Sequence, residues 1–146
     1  MSEDETRIPD EGKDWFLQLL VDAVNGTTSE VGLTIQVSGL LVSGTLVSGE
    51  KYFEGFAEAL AAAQADDKES AEKHRAAFAK YGEQYKRSEG NGSEEKKALP
   101  LYIHLKDARF YTPGTKPIPG NKGVWWRGRI SEVSGFILGV LDIAEG

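Results

Sequence analysis

From Val31 the apolar residues fall on every second position. Val31, Leu33, Ile35 and Val37 alternate with Gly32, Thr34, Gln36 and Ser38. A two-residue period puts one set of side chains on a buried face and the other on a wetter one, which is the signature of a half-buried β-strand. Ser38-Gly39 supplies turn chemistry, and Leu40 to Ser48 resumes a β-branched strand with Gly44 at its middle. A glycine inside a strand marks a bend or a close backbone approach. The two runs are therefore expected to form an antiparallel hairpin or meander.

The segments around this hairpin follow other periods. Asp14 to Val24 places Phe16, Leu19, Leu20, Ala23 and Val24 at helical spacing and stops at Asn25-Gly26, which tolerates the left-handed backbone of a helix end. Gly49 onward is helical again, with Phe53, Phe56, Ala57 and Leu60 on one face. Asp66-Asp67 restarts a second helix bearing Ala71, His74, Phe78, Tyr81 and Tyr85. Strand alternation returns at Leu99, Leu101, Ile103 and Leu105 and runs on to Phe110 and Tyr111. Val124 to Leu141 reads as two further β segments hinged near Ser131-Glu132 or Gly135. The order is helix, two strands, helices, then about three strands. This predicts an α+β fold: a small antiparallel sheet of about five strands, with an N-terminal helix and an inserted helical segment at about 50–87. The runs 33–47 and 101–110 resemble, at fold level only, the bent hairpins of Sm-like small barrels, so a barrel-like sheet is an expectation.

A chain of 146 residues suits a single domain. Residues 13–146 are read as that domain, and the acidic stretch 1–12, broken by Pro9 and Gly12, as a disordered leader. Flexible loops are expected at about 88–98, rich in Gly, Ser, Glu and Lys, and at about 112–123, which holds three prolines. Cysteine is absent, which removes disulfides and thiolate metal sites and fits a cytoplasmic protein. The acidic N-terminus lacks a signal peptide's basic region, and the apolar runs fall well short of the ~20 residues of a membrane span. The net charge of −6 disfavours nucleic acid, whose binding depends on clustered cations.

Catalytic machinery is hard to find. His74 lies between Lys73 and Arg75 on a charged helix, and His104 alternates outward on a strand beside Lys106. Neither has a partner at metal-ligand spacing, so both are expected at ordinary surface or half-buried positions. The Ser-Gly pairs lack the G-x-S-x-G context, and Gly120-Asn121-Lys122-Gly123 lacks the phosphate-loop spacing. The expectation is no enzyme, no metal and no cofactor. One strand stands apart. In Trp125-Trp126-Arg127-Gly128-Arg129-Ile130, alternation sends Val124, Trp126, Gly128 and Ile130 to a core-like face and Trp125, Arg127 and Arg129 to the other. The second set has the composition of a protein-interface hot spot. Tyr102 and Lys106 join it as candidate partner-binding residues. The bland alternative, in which Trp125 packs under a helix and the arginines pair with local acids, stays open.

Three stretches follow one another in order: Tyr102-Ile103-His104-Leu105-Lys106-Asp107-Ala108, Trp126-Arg127-Gly128-Arg129-Ile130-Ser131-Glu132 and Gly135-Phe136-Ile137-Leu138-Gly139. This arrangement resembles the gas vesicle accessory protein U (GvpU-like) family, with its "IHLK" strand, Gly/Pro/Lys loop, "WRGKI" strand and "GFFLG" ending. Val42-Ser43-Gly44-Thr45-Leu46-Val47-Ser48, followed by Tyr52-Phe53, is similar to the same family's "ISGTMIS…YF" stretch. The resemblance covers roughly residues 31–56 and 101–140. It implies a non-enzymatic accessory protein of gas vesicle biogenesis or clustering, with shell or other accessory proteins as partners, homo-oligomer formation allowed, and no catalytic residues. The alternative from the residues themselves is a small-barrel nucleic-acid-binding or adaptor module using the Trp125/Arg127/Arg129 face.

Overall fold

The computed structural model describes residues 12–64, 66–86 and 98–141. Most of the expected acidic leader and of the loop at 88–98 therefore lies outside the described residues. The first helix, α1 (Trp15–Val24), begins where the Asp14 carboxylate accepts the amides of Phe16 and Leu17 at 2.9 and 3.2 Å. Such a cap satisfies N–H groups that the helix itself cannot. Leu17, Val21 and Val24, at four- and three-residue steps, are buried by it.

Strands β1 (Val31–Val37) and β2 (Leu40–Leu46) form the expected hairpin, with Val37 opposite Leu40. Ser38 and Gly39 both have positive φ, 51° and 78°, the two-residue turn whose twist matches that of the strands. Helix α2 (Gly49–Ala63) starts at a Ser48 cap, and its first amide also donates to the Asn25 side chain at 2.9 Å. Helix α3 (Lys68–Ala79) starts at an Asp67 cap and runs into a 3-10 segment, Lys80–Tyr85. Strand β3 (Tyr102–Tyr111) follows, then β4 (Val124–Arg129), a 3-10 turn Ile130–Glu132, and β5 (Val133–Leu138).

All strand pairs are antiparallel and the sheet order is β4-β3-β2-β1-β5. The fold is α+β. The sheet does not close into a barrel: β4 and β5, adjacent in sequence, are its two opposite edges. The Sm-like expectation of closure is corrected on that point. One face of the sheet and α1 enclose the core of Leu17, Val21, Val24, Leu33, Ile35, Val42, Leu46, Ile103, Leu105, Ala108 and Ile130, with Trp126 and Phe136 packed against it. Gly44 is required by a close approach: a Cβ there would lie 2.9 Å from the Lys106 carbonyl oxygen and 3.0 Å from Ala108 Cα, where the β2–β3 register shifts. After β5 the chain crosses the outer face. The Thr34 hydroxyl donates to the Gly139 carbonyl at 2.8 Å and the Leu141 amide donates to the Ser43 hydroxyl at 2.7 Å.

Candidate functional site

Opposed residues of an antiparallel pair share a face. Tyr102 lies opposite Arg129 and His104 opposite Arg127, so the aromatic and arginine positions singled out in the sequence converge on the outer face of β3 and β4. Helix α2 covers part of that face. A Cβ on its Gly55 would fall 2.0 Å from Trp125 Cζ2, so the helix approaches the indole only because that position has no side chain. Tyr52 meets Trp125 edge-on, with ring centroids 6.0 Å apart.

His104 is the correction. Expected at a surface or half-buried position, it is fully buried. Tyr52, Tyr85 and Phe53 pack around it with centroids 4.9, 5.2 and 5.9 Å away. Alternation pointed the ring off the core face correctly, but α2 and the 3-10 segment roof that face.

The electrostatics follow from this enclosure. Burial, and then the Arg127 charge, push the His104 pKa down to about 3, so the ring is neutral across the physiological range. Its Nε2 accepts from Arg127 Nε at 3.1 Å, which leaves the ring proton on Nδ1; that atom is buried and has no partner among the described residues. The Arg127 guanidinium carbon sits 3.7 Å from the Tyr102 ring centroid and 5.7 Å from that of Phe53, a cation–π arrangement. Burial raises the Tyr52 pKa against the opposing pull of Arg127. Hydrogen bonds from Lys106 and Lys51 lower the Glu30 pKa. A neutral acceptor imidazole held by a cation, with no carboxylate on its other nitrogen among the described residues, is arranged for packing rather than for proton transfer.

The structure brings Tyr102, Arg127 and Arg129 together. Arg129 is exposed and lines a cleft of about 230 Å³ with Lys13, Leu101, Tyr102 and Ser131. Lys106 lies further along β3 and pairs with Glu30 at 2.7 Å, while Trp125 is half-buried beside α2. His74 is away from this layer, on α3, with Nδ1 2.9 Å from Gln64 Oε1. Sequence reasoning missed Tyr52, Phe53 and Tyr85 as members of the layer. The helical spacing of Phe53 and Tyr85 was visible, but nothing local said which surface those helices would cover.

Among the described residues, no group of three or more His, Cys, Asp or Glu could hold a metal ion, and no helix is long and apolar enough to cross a membrane. The fold and this layer define a class: an α+β domain whose open antiparallel sheet is roofed by helices, with cations and aromatics fixed on the roofed face. A family model described as gas vesicle protein GvpU-like matches residues 14–141, nearly the whole chain. The chain belongs to that family, which makes it a gas vesicle-associated protein. No curated protein and no solved structure matches it.

Proposed function

We propose that the chain is a non-enzymatic accessory protein of gas vesicle biogenesis or clustering, acting in the cytoplasm by protein–protein contact. Family membership over residues 14–141 is the observation that carries this reading. Its contact surface is the β3–β4 outer face with Tyr102, Lys106, Trp125, Arg127 and Arg129, and its partners are shell or other accessory proteins. The geometry supports a division of labour. Trp125 and Arg127 are tied into the helix–sheet packing and keep the face rigid, while Arg129 stands at the rim, open to an acidic or polar partner segment. The nucleic-acid alternative loses its stacking group, because the Trp125 ring is engaged by Gly55 and Tyr52.

Co-sedimentation with purified gas vesicles tests the reading. Arg129→Glu is expected to keep the melting temperature and to weaken vesicle binding about tenfold or more, as charge reversal at an interface rim does. Wild-type protein that stays in the supernatant defeats the proposal itself. Binding unchanged by both Arg129→Glu and Tyr102→Ala moves the contact to another face.

A further inference from the structure

The two sheet edges differ. At β4, the edge carries exposed Arg127 and Arg129, and charged side chains discourage pairing with another chain. At β5, Val133-Ser134-Gly135-Phe136-Ile137-Leu138 contains neither Lys, Arg nor Pro. Ile137 and Leu138 are 58% and 69% exposed. Beside this edge α1 turns out Trp15, Leu19 and Phe16, the last 60% exposed and with its ring 5.9 Å from that of Phe136. Leu138 and Phe136 lie opposite buried Leu33 and Ile35, which puts both on the core side of the sheet. Apolar side chains of helix and strand thus extend past the last strand on the same side as the core.

The backbone fixes how this edge can be used. The Gly139 amide donates to the Gly32 carbonyl at 2.8 Å. Along an antiparallel strand the hydrogen-bonding direction alternates, so Ile137 and Gly135 also address β1, while Leu138 and Phe136 turn their N–H and C=O groups to the open side; the register shift between Gln36 and Val37 ends this alternation at Ser134, whose hydroxyl donates to the Gln36 carbonyl at 3.2 Å. These two are spaced symmetrically about Ile137. We infer that β5 is a self-pairing edge, on which two copies of this chain join β5 to β5 antiparallel about a two-fold axis at Ile137, with Phe136 of one copy opposite Leu138 of the other.

A second copy fits better than any other occupant. A two-fold interface demands a self-complementary strip, and this strip is symmetric and uncharged. The pairing also carries the core across the junction, because Phe16, Phe136 and Leu138 of the two copies meet on one side of a continuous sheet. Five partly exposed large side chains, Trp15, Phe16, Leu19, Phe136 and Leu138, offer on the order of 500 Å² a side, to which the strand backbone adds toward the roughly 800 Å² of a standard interface. The edge of β4 is a poor substitute partner, since Ile130 donates to Leu101 and the same alternation turns the backbones of Arg129 and Arg127 outward, with their side chains on the opposite face. The inference goes beyond the function proposed above and uses none of the Arg129 face, so either can fail without the other.

Sedimentation of the full chain tests it. Wild type is expected to be a dimer at micromolar concentration. Phe16→Lys and Leu138→Lys alter exposed positions, so each is expected to keep the melting temperature and weaken the dimer about a hundredfold or more, because the interface then buries like charges. A second variant does not depend on disrupting anything. The natural chain has no cysteine, and Ile137 would face its own copy as a non-hydrogen-bonded pair, about 4.5 Å apart at Cα and within disulfide reach. Ile137→Cys, at a position 58% exposed, is therefore expected to run as a covalent dimer on a non-reducing gel after mild oxidation. A wild type that stays monomeric, an assembly that survives Leu138→Lys or dissolves only with Arg129→Glu, or an oxidised Ile137→Cys variant that runs as a monomer overturns the inference.

Discussion

His104 occupies a place where a neutral ring can pack and a charged one cannot. Three aromatic rings enclose it, and the nearest charge is the Arg127 guanidinium, of the same sign as an imidazolium. With a folded pKa of about 3 against about 6.5 for the unfolded chain, the unfolded state binds the proton first as pH falls. Stability should therefore be unaffected by this group above about pH 6.5 and should drop by up to ~1.4 kcal/mol per pH unit between about 6.5 and 3. Other groups titrate in the same range, so the measurement is a difference. Urea denaturation of wild type and His104→Phe at pH 7.5 and pH 5 should show a shallower pH dependence for the variant. Equal pH dependence in the two proteins would mean that water reaches His104 in the native state. Alternation decides the face of a strand on which a side chain falls, but not what will cover that face.

Element by element, the parts written in short-range chemistry were legible. Ser38-Gly39 specifies its turn, Asp67 caps α3 as its position before the helix predicts, and Ser131-Glu132 falls in the 3-10 turn between β4 and β5. The docking of α2 was not, because it depends on Gly55 and Trp125, seventy residues apart in the chain, meeting in space. That contact is testable by its coupling. In an isolated helix, alanine in place of glycine is worth about 1 kcal/mol. Here Gly55→Ala should instead destabilise by about 1–3 kcal/mol, since the new Cβ would sit inside the indole's contact distance. Trp125→Leu should cost stability on its own by removing packing with Tyr52, yet make Gly55→Ala tolerable. A double-mutant cycle should give a coupling of at least about 1 kcal/mol; additive effects would show that α2 adjusts freely over the sheet.

Over the whole molecule, stability is expected to be unevenly distributed, and the layering says how. The core residues come from α1, from β1, β2 and β3, and from the 3-10 turn after β4, so those strands cannot open without exposing it. Helix α3 contributes a single buried residue, Ala71, and packs chiefly on α2 and the 3-10 segment, with Phe78 against Phe56 and Tyr81. It stands two layers from the core. Its exposed ion pairs, Arg75 with Glu72 and Glu58, lie in water, where such pairs contribute little. Composition and periodicity foretold the helix but not this remoteness, which comes from its packing on another helix rather than on the sheet. Local opening of α3 should then cost clearly less than global unfolding, by about 2 kcal/mol or more, as for other peripheral units. Hydrogen exchange followed by mass spectrometry in low urea should show amides of residues 68–79 exchanging first, largely independent of denaturant, while amides of β1, β2 and β3 exchange only through the denaturant-sensitive global transition. Protection in α3 equal to that in β2 would mean that the helical layer and the sheet unfold as one unit.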